Sequence, residues 1–338
     1  MTQPAPERAV GVRDVAAHAG VSTQTVSRVL NGHPHIRPET RQRVLDAIQA
    51  LGYRMNNAAR ALGTSTSRTL GVLASDVALY GPAEGVAALE AAARAEGRWI
   101  ATAYADASDI SAVGAAVGHL LAQGVDGIVL VGTHTLTLRA AKTVAPGVPI
   151  VALHGGAGTA TQSVAAALAV THLLDLGHRR IAEVAGPGDW LEANARSRGV
   201  AEALAAAGLA VFARWEGDWS AAAGHALTGA VVEALGRPDA PTALAVANDQ
   251  MALGLMAGLH ARGIEVPTAV SVVGFDDNPD SAFYLPALTT VRLDLASEAR
   301  RVVAEVVGGS VAKKPEPPVL VVRDSAVRVR GGNATRAG

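Results

Sequence analysis

The chain contains no cysteine, which excludes disulfide stapling, thiol catalysis and thiolate-held zinc or iron–sulfur centres. Aromatic residues make up only 3% of it, so Ala, Val, Leu and Gly must fill the interior. Net charge is −1 over 338 residues, and no global excess marks a nucleic-acid binder. Apolar runs are broken by Gly, His or a charged residue well before membrane-spanning length. Residues 1–10 carry Pro4, Pro6, Glu7 and Arg8 and no apolar stretch, unlike a signal peptide. A soluble cytoplasmic protein without membrane contact is therefore expected. What is present suits burial: 49% of residues are hydrophobic and 17% charged, at a length that fits two or three domains.

The charge is unevenly divided. Residues 1–62 hold eight Arg and four acids, a local charge of +4, which leaves −5 on the remainder. A basic head on a mildly acidic body is the electrostatic footprint of a small nucleic-acid module attached to something else. Within that head three helical patterns follow one another. The first spans about 12–18, with Val15, Ala16 and Ala19 on one face, after Gly11 and before Gly20. Ser22 can cap the second, 23–30, which buries Val26, Val29 and Leu30 and ends at Asn31-Gly32. The third starts at Pro38, runs through Val44, Leu45, Ile48 and Leu51, and stops at Gly52. Helix, Gly-containing turn and helix make a helix-turn-helix, whose second helix enters the major groove by its N-terminal end. There the residues turned away from the core are Thr23, Gln24, Ser27 and Arg28. Gln can pair with adenine edges, and Arg can grip guanine with two bonds.

Residues 14–31, followed by Ile36-Arg37-Pro38-Glu39-Thr40-Arg41 and Leu51-Gly52-Tyr53, resemble the DNA-binding head of the lactose-repressor (LacI/GalR) family. The resemblance implies that Thr23, Gln24 and Arg28 read bases of double-stranded operator DNA. It implies that Ser22, Ser27, Asn31, His35, Thr40, Tyr53 and Asn56 hold the DNA backbone or flank the reading helix, which fixes register rather than sequence choice. The helix-permissive stretch 56–63 and the polar linker after it match the family's hinge, with Ala59 and Leu62 directed to the minor groove. A Leu there acts as a wedge between base pairs.

Beyond residue 68, short apolar runs alternate with Ala-rich amphipathic segments. Strands are predicted at 70–74, 99–103, 127–131, 150–153, 181–185, 243–247, 270–274 and 289–293, and helices at 84–96, 112–121, 195–207, 222–235 and 250–262. This alternation reads as parallel sheets covered on both faces, with ligands at the carboxyl ends of the strands. Two such halves would bind a ligand in the cleft between them. The segments 216–220, 246–254, 271–277 and 286–291 extend the resemblance, so that it covers about residues 11–330. The implied fold class is α/β: a helix-turn-helix head with a hinge helix, then two periplasmic-binding-protein-like, doubly wound subdomains joined by three crossovers. The domains expected are a head at 1–55, a hinge at 56–68, a core at 69–330 and a tail at 331–338. Within the core, one subdomain takes about 69–160 with 292–320 and the other 161–291 with 321–330.

For the effector, Trp219 offers an apolar face to a sugar ring, and Arg196, Asn248 and Asp276 offer donors and acceptors to its hydroxyls. All four match sugar-contacting positions of the family, as do Ser75, Leu79 and Pro82 after the first strand. The chain also departs from the lactose-repressor pattern. His154 replaces an Asp after the fourth strand, and Val131 replaces an Asn at the end of the third. Trp190 and Glu192 stand where smaller hydroxylated residues are found, and the Gly/Ala-rich segment 155–171 is shorter. A galactoside is the leading effector, and the altered wall leaves another sugar or a sugar phosphate open, as inducer or corepressor.

Rival chemistries find little support. His154-Gly155-Gly156-Ala157-Gly158 has neither GxGxxG spacing nor a Lys-Ser/Thr ending and is expected to be a loop. His172 and His178 lie off one face and make poor metal ligands. Asp276-Asp277 cannot flank a scissile bond as two opposed carboxylates must, and no Gly-x-Ser-x-Gly elbow is present. A transport solute-binding protein would need an export signal and no DNA head. The expectation is a sugar-responsive repressor rather than an enzyme, with no cofactor and no metal. It is expected as a homodimer, since no apolar heptads of the kind that build a coiled coil follow Arg330.

Overall fold

The computed structural model describes residues 10–53, 66–309 and 316–329. The chain divides into two units, Met1–Ser67 and Arg68–Gly338. The first is a three-helix unit of α1 (Val12–Ala19), α2 (Thr23–Leu30) and α3 (Pro38–Leu51). Val15, Ala16, Ala19, Val26, Val29, Val44 and Ala47 form its core. Leu45, expected inside, is 45% exposed, because Val44 and Ala47 already fill the inward face of α3. The turn between α1 and α2 depends on Gly20, whose φ of 64° lets its N–H reach back to the carbonyls of Ala16 and Ala17. Ser22 then caps α2, accepting at Oγ from the Thr25 N–H at 3.1 Å.

The second unit holds two parallel four-stranded sheets of the same winding. In the first, β1 (Thr69–Ala74), β2 (Trp99–Tyr104), β3 (Gly127–Val131) and β4 (Ile150–Ala152) lie in the order β2-β1-β3-β4. The helices α4 (Tyr80–Ala95), α5 (Ile110–Ala122) and α6 (Thr135–Val144) connect them. In the second, β5 (Ile181–Ala185), β6 (Arg214–Glu216), β7 (Ala243–Val246) and β8 (Ser271–Val273) lie in the order β6-β5-β7-β8. Its helices are α7 (Ala157–Asp175), α8 (Leu191–Ala206), α9 (Ala221–Ala226), α10 (Thr228–Leu235) and α11 (Asp249–His260). The inner strands are buried along their length, so they read as unbroken apolar runs rather than as alternations.

The chain passes between the halves more than once. Helix α7 packs on α8, and its Ala165, Ala169 and Leu173 share a core with Ile181 and Ala245. After β9 (Thr290–Arg292), helix α12 (Leu295–Val306) returns to the first sheet, where Val302 and Val303 join Leu70, Val72 and Val129. Strand β10 (Val319–Val321) pairs antiparallel with β9.

Three local expectations are corrected. Segment 222–235 is two helices rather than one, divided at Leu227, where the Thr228 hydroxyl donates to the His225 carbonyl and competes with the helical ladder. Strand β6, Arg214-Trp215-Glu216, offers no apolar run to read, and β10, within the apolar run 319–322, is not among the predicted strands; both are three residues long, at sheet edges and partly exposed. The supposed loop at 154–158 is a loop only as far as Gly156, since α7 begins at Ala157.

Candidate functional site

In the first unit, Thr23, Gln24, Ser27 and Arg28 are exposed on one face of α2, while Val26 and Val29 are buried on the other. None of the four is consumed by the core. Ser22, Asn31 and His35 are exposed around that face, and Thr40 and Tyr53 are half-buried beside it. The loop after α2 is held by Arg41, which donates to the His33 carbonyl at 2.9 Å. Asn56, Ala59 and Leu62 lie outside the described residues.

In the second unit, the carboxyl ends of both sheets line one cleft with a cavity volume of about 190 Å³. In a doubly wound sheet the loops leave in opposite directions at the point where strand order reverses, and a crevice opens there. Here β1 and β3, and again β5 and β7, flank that point. Backbone in the left-handed region concentrates on this rim. His154, Trp219, Asp276 and Asp277 have φ of 63°, 75°, 103° and 50°, and all four line the cleft. Such conformations cost non-glycine residues about 1–3 kcal/mol each and persist where the surroundings enforce them, as at ligand clamps.

Each key side chain is positioned by identifiable contacts. The Asp218 carboxylate accepts from the Ser220 N–H at 2.9 Å and from its hydroxyl, turning the chain so that Trp219 folds inward. Asn248 donates from Nδ2 to the Trp219 carbonyl at 2.9 Å, while its Oδ1 accepts from the Met251 N–H and caps α11. The Trp219 indole lies against Gly186, where any Cβ would come within 2.3 Å of the ring. Trp190 meets that indole edge-on, with centroids 5.5 Å apart.

Arg196 is the hub. From α8 its Nε donates to Gln162 Oε1 at 2.8 Å, one Nη to the Ala247 carbonyl and the other to Asp276 Oδ1 at 3.1 Å. Its guanidinium carbon sits 3.8 Å from the Phe275 ring centroid. Burial raises the Asp276 carboxyl above its ordinary pKa, and Arg196 pulls it back down. Burial likewise lowers the His154 imidazole to about 4, so it is neutral at pH 7, and its backbone N–H donates to Glu298 at 3.1 Å. Glu192, 6% exposed on the first turn of α8, is raised by burial to about 7. Two polar atoms of the lining residues, Glu192 Oε2 and Trp219 Nε1, are buried with no hydrogen-bond partner among the described residues.

Of the expected effector residues, Leu79, Pro82, Arg196, Trp219, Asn248 and Asp276 line the cleft. Ser75 does not. It is buried behind the wall, where its hydroxyl donates to the Gly132 carbonyl at 2.8 Å. The departures Val131, His154, Trp190 and Glu192 are in the lining as well. Sequence reasoning missed Tyr80, Glu84 and Arg292 of the lining, and Gln162, which steadies Arg196 from α7. No motif marks these; their helical or strand setting carried no signal of which face meets the cleft. Among the described residues no cluster of His, Asp or Glu could hold a metal ion, and no helix is long and apolar enough to cross a membrane.

Residues 12–56 match the family model for bacterial regulatory proteins of the lacI family, and residues 170–331 match a periplasmic binding protein-like domain. The lactose operon repressor of Escherichia coli is 38% identical over 295 residues, covering 84% of this chain and 80% of that protein. Catabolite control protein A of Priestia megaterium is 32% identical over 324 residues, covering 90% of this chain and 96% of its own length. Among solved structures, the lac repressor dimer bound to operator and an anti-inducer superposes with a TM-score of 0.79 at 34% identity, over 95% of this chain and all of that one. The complex of the regulator CelR with cellobiose superposes at 0.64 and 29% identity, over 94% of this chain and all of its own.

Proposed function

The chain belongs to the lacI family of bacterial regulatory proteins, and we propose that within it the protein is a sugar-responsive transcriptional repressor working in the cytoplasm. Two heads of a homodimer read the halves of an inverted-repeat operator, since protein two-fold symmetry mirrors DNA palindromy. Thr23, Gln24 and Arg28 supply the base contacts. Ala59 and Leu62 of the hinge enter the minor groove. The core works as two subdomains, 69–160 with 292–320 and 161–291 with 321–330, with the effector between them. A relative of this chain is a lactose operon repressor, and one structural neighbour was solved as a dimer on operator. A binding regulator needs no catalytic set, cofactor or metal.

One observation carries the effector half of this reading: Arg196, Asp276, Asn248 and Trp219 converge on a single cleft from the second turn of α8, the starts of α9 and α11 and a strand-end turn. A buried guanidinium–carboxylate pair beside an indole face is suited to ring hydroxyls stacked on an aromatic plane. A sugar that prefers one arrangement of the subdomains changes operator affinity by a coupling of typically ~1–3 kcal/mol, and operator changes sugar affinity by the same factor. A galactoside inducer is the first candidate. A different sugar is the second, favoured by His154, Val131, Trp190 and Glu192 in the lining.

The test joins two measurements on the purified full chain. Operator fragments are selected from a random library and their binding is followed by fluorescence anisotropy, with lactose, galactose, cellobiose, maltose, glucose and sugar phosphates added in turn. A thermal-shift panel with the same compounds reports binding directly, because a ligand of the folded state raises the midpoint. Sequence-specific binding to an inverted repeat, altered by one sugar, is the expected outcome. Absence of any preferred DNA sequence would refute the repressor reading.

A further inference from the structure

The cleft is unevenly charged. Its lining holds four carboxylates, Glu84, Glu192, Asp276 and Asp277, against the guanidiniums Arg196 and Arg292 and the imidazole His154. Both cations are already engaged. Arg196 is paired with Asp276 at 3.1 Å, and Arg292 approaches Asp277 at 3.4 Å. Asp277 is shared again by Arg323, at 2.7 Å. Glu192 has no such partner, and its Oε2 is buried without a hydrogen bond among the described residues. A buried acceptor left open costs about 1–3 kcal/mol, more if charged, unless something occupies it. The groups whose charges bear on it are Arg196 of its own helix and Asp276, which Arg196 pairs with in the same half of the core.

We propose that the cleft takes an uncharged, unphosphorylated sugar, and that Glu192 sets this choice by accepting a hydrogen bond from a sugar hydroxyl and repelling anionic sugars. The inference rests on the sugar-responsive reading above and narrows it. A phosphate or carboxylate entering here would meet two carboxyl groups with no cationic partner among the described residues, Glu84 and Glu192, and would have to draw a guanidinium out of an existing pair. A neutral sugar needs neither. It satisfies Glu192 Oε2 with a hydroxyl donor and can use the Trp219 indole N–H, which also has no partner among the described residues.

The experiment is isothermal titration of the full-length protein with lactose, cellobiose and maltose, and with glucose 6-phosphate and galactose 6-phosphate. It is run at pH 6 and pH 8 on the wild type, Glu192→Gln and Glu192→Ala, each checked for folding by circular dichroism. One neutral sugar is expected to bind, both phosphates at least tenfold more weakly. Loss of a hydrogen bond to a charged group should weaken the neutral sugar by about tenfold to a hundredfold in Glu192→Ala. The hydroxyl donor favours the carboxylate, so wild-type affinity should rise from pH 6 to pH 8, and Glu192→Gln should not show that rise. A purely structural Glu192 would not produce this pH signature. Tighter binding of a sugar phosphate, or equal neutral-sugar affinity and pH profile in wild type and Glu192→Gln, would overturn the inference while leaving a sugar-responsive protein. Binding of no sugar at all would remove the sugar reading itself and the inference with it.

Discussion

Glu192→Gln in the sugar-free protein tests the electrostatics of the cleft without reference to any effector. The Glu192 carboxyl moves from 4.5 to about 7 on folding, driven first by burial, with its helix-start backbone and Arg196 opposing. A carboxyl whose folded pKa is raised is fully tolerated below its unfolded value, because it is protonated in both states. As pH rises through 4.5 toward 7, the unfolded chain ionises first and the folded state loses relative stability; above 7 the loss is constant. The gap between 4.5 and about 7 corresponds to about 3 kcal/mol at 1.36 kcal/mol per pKa unit, most of which develops between pH 5 and pH 8. Gln keeps the shape and removes the ionisation. Its own unpaired amide costs the same at every pH and cancels from the comparison. The stability of Glu192→Gln relative to wild type should therefore improve by about 2–3 kcal/mol from pH 5 to pH 8. For a domain of this size that is about 5–10 °C in thermal midpoint. Urea unfolding at four pH values, with the core transition followed by tryptophan fluorescence, measures it. A difference constant to within about 0.5 kcal/mol across that range would refute the assignment of a buried, uncompensated carboxyl.

Three further outcomes are expected. Arg196→Met should cost about 3–5 kcal/mol by stranding the buried Asp276 carboxylate, and Arg196→Met with Asp276→Asn should cost less than the two single losses together; strict additivity in urea unfolding would contradict the pairing. Gly132→Ala should destabilise the core by about 1–3 kcal/mol, since φ is +67° there and a Cβ would lie 2.7 Å from Ser75 Oγ; an unchanged thermal midpoint would show that the wall yields. Phe283, at the end of the short 3-10 helix Pro279–Phe283, and Leu285, two residues on, are 84% and 91% exposed, the kind of apolar surface a partner covers. Phe283→Ser with Leu285→Ser should turn a dimer into a monomer in light scattering at low micromolar concentration, and a wild-type tetramer would contradict the homodimer.

The head was legible because its determinants are local. Ser22 caps a helix three residues away, Gly20 closes the turn beside it, and Val26 and Val29 alternate with Gln24 and Arg28 at helical spacing. The inner strands were legible for a related reason: a strand buried on both faces must be apolar throughout, as 127–131 and 181–185 are. Edge strand β6 lacks that constraint and offers no apolar run, while β10 lies in the apolar run 319–322 but is too short and too exposed to stand out as a buried strand. In the cleft, residue types and resemblance picked out Arg196, Trp219, Asn248 and Asp276, but wrongly set Ser75 beside them. The hydroxyl of Ser75 follows a strand end like the others, and nothing in its neighbours says that Gly132, 57 residues away, takes its hydrogen bond.

By itself, then, the amino-acid order determined the helix-turn-helix with its exposed Thr23, Gln24 and Arg28, the alternation of strand and helix, and the set of residues chemically fit for a sugar. These depend on contacts within one or two turns of chain or on side-chain type. Only the tertiary structure decided which of those residues share a cleft and in what state. Arg196 acquires its partners from α7, the end of β7 and the turn after β8, so its pairing exists only once these distant segments have packed together. Glu192 looks like an ordinary acidic residue in the first turn of a helix. Burial among distant elements, not its neighbours in sequence, removes its water, raises its pKa and leaves one oxygen without a hydrogen-bond partner among the described residues.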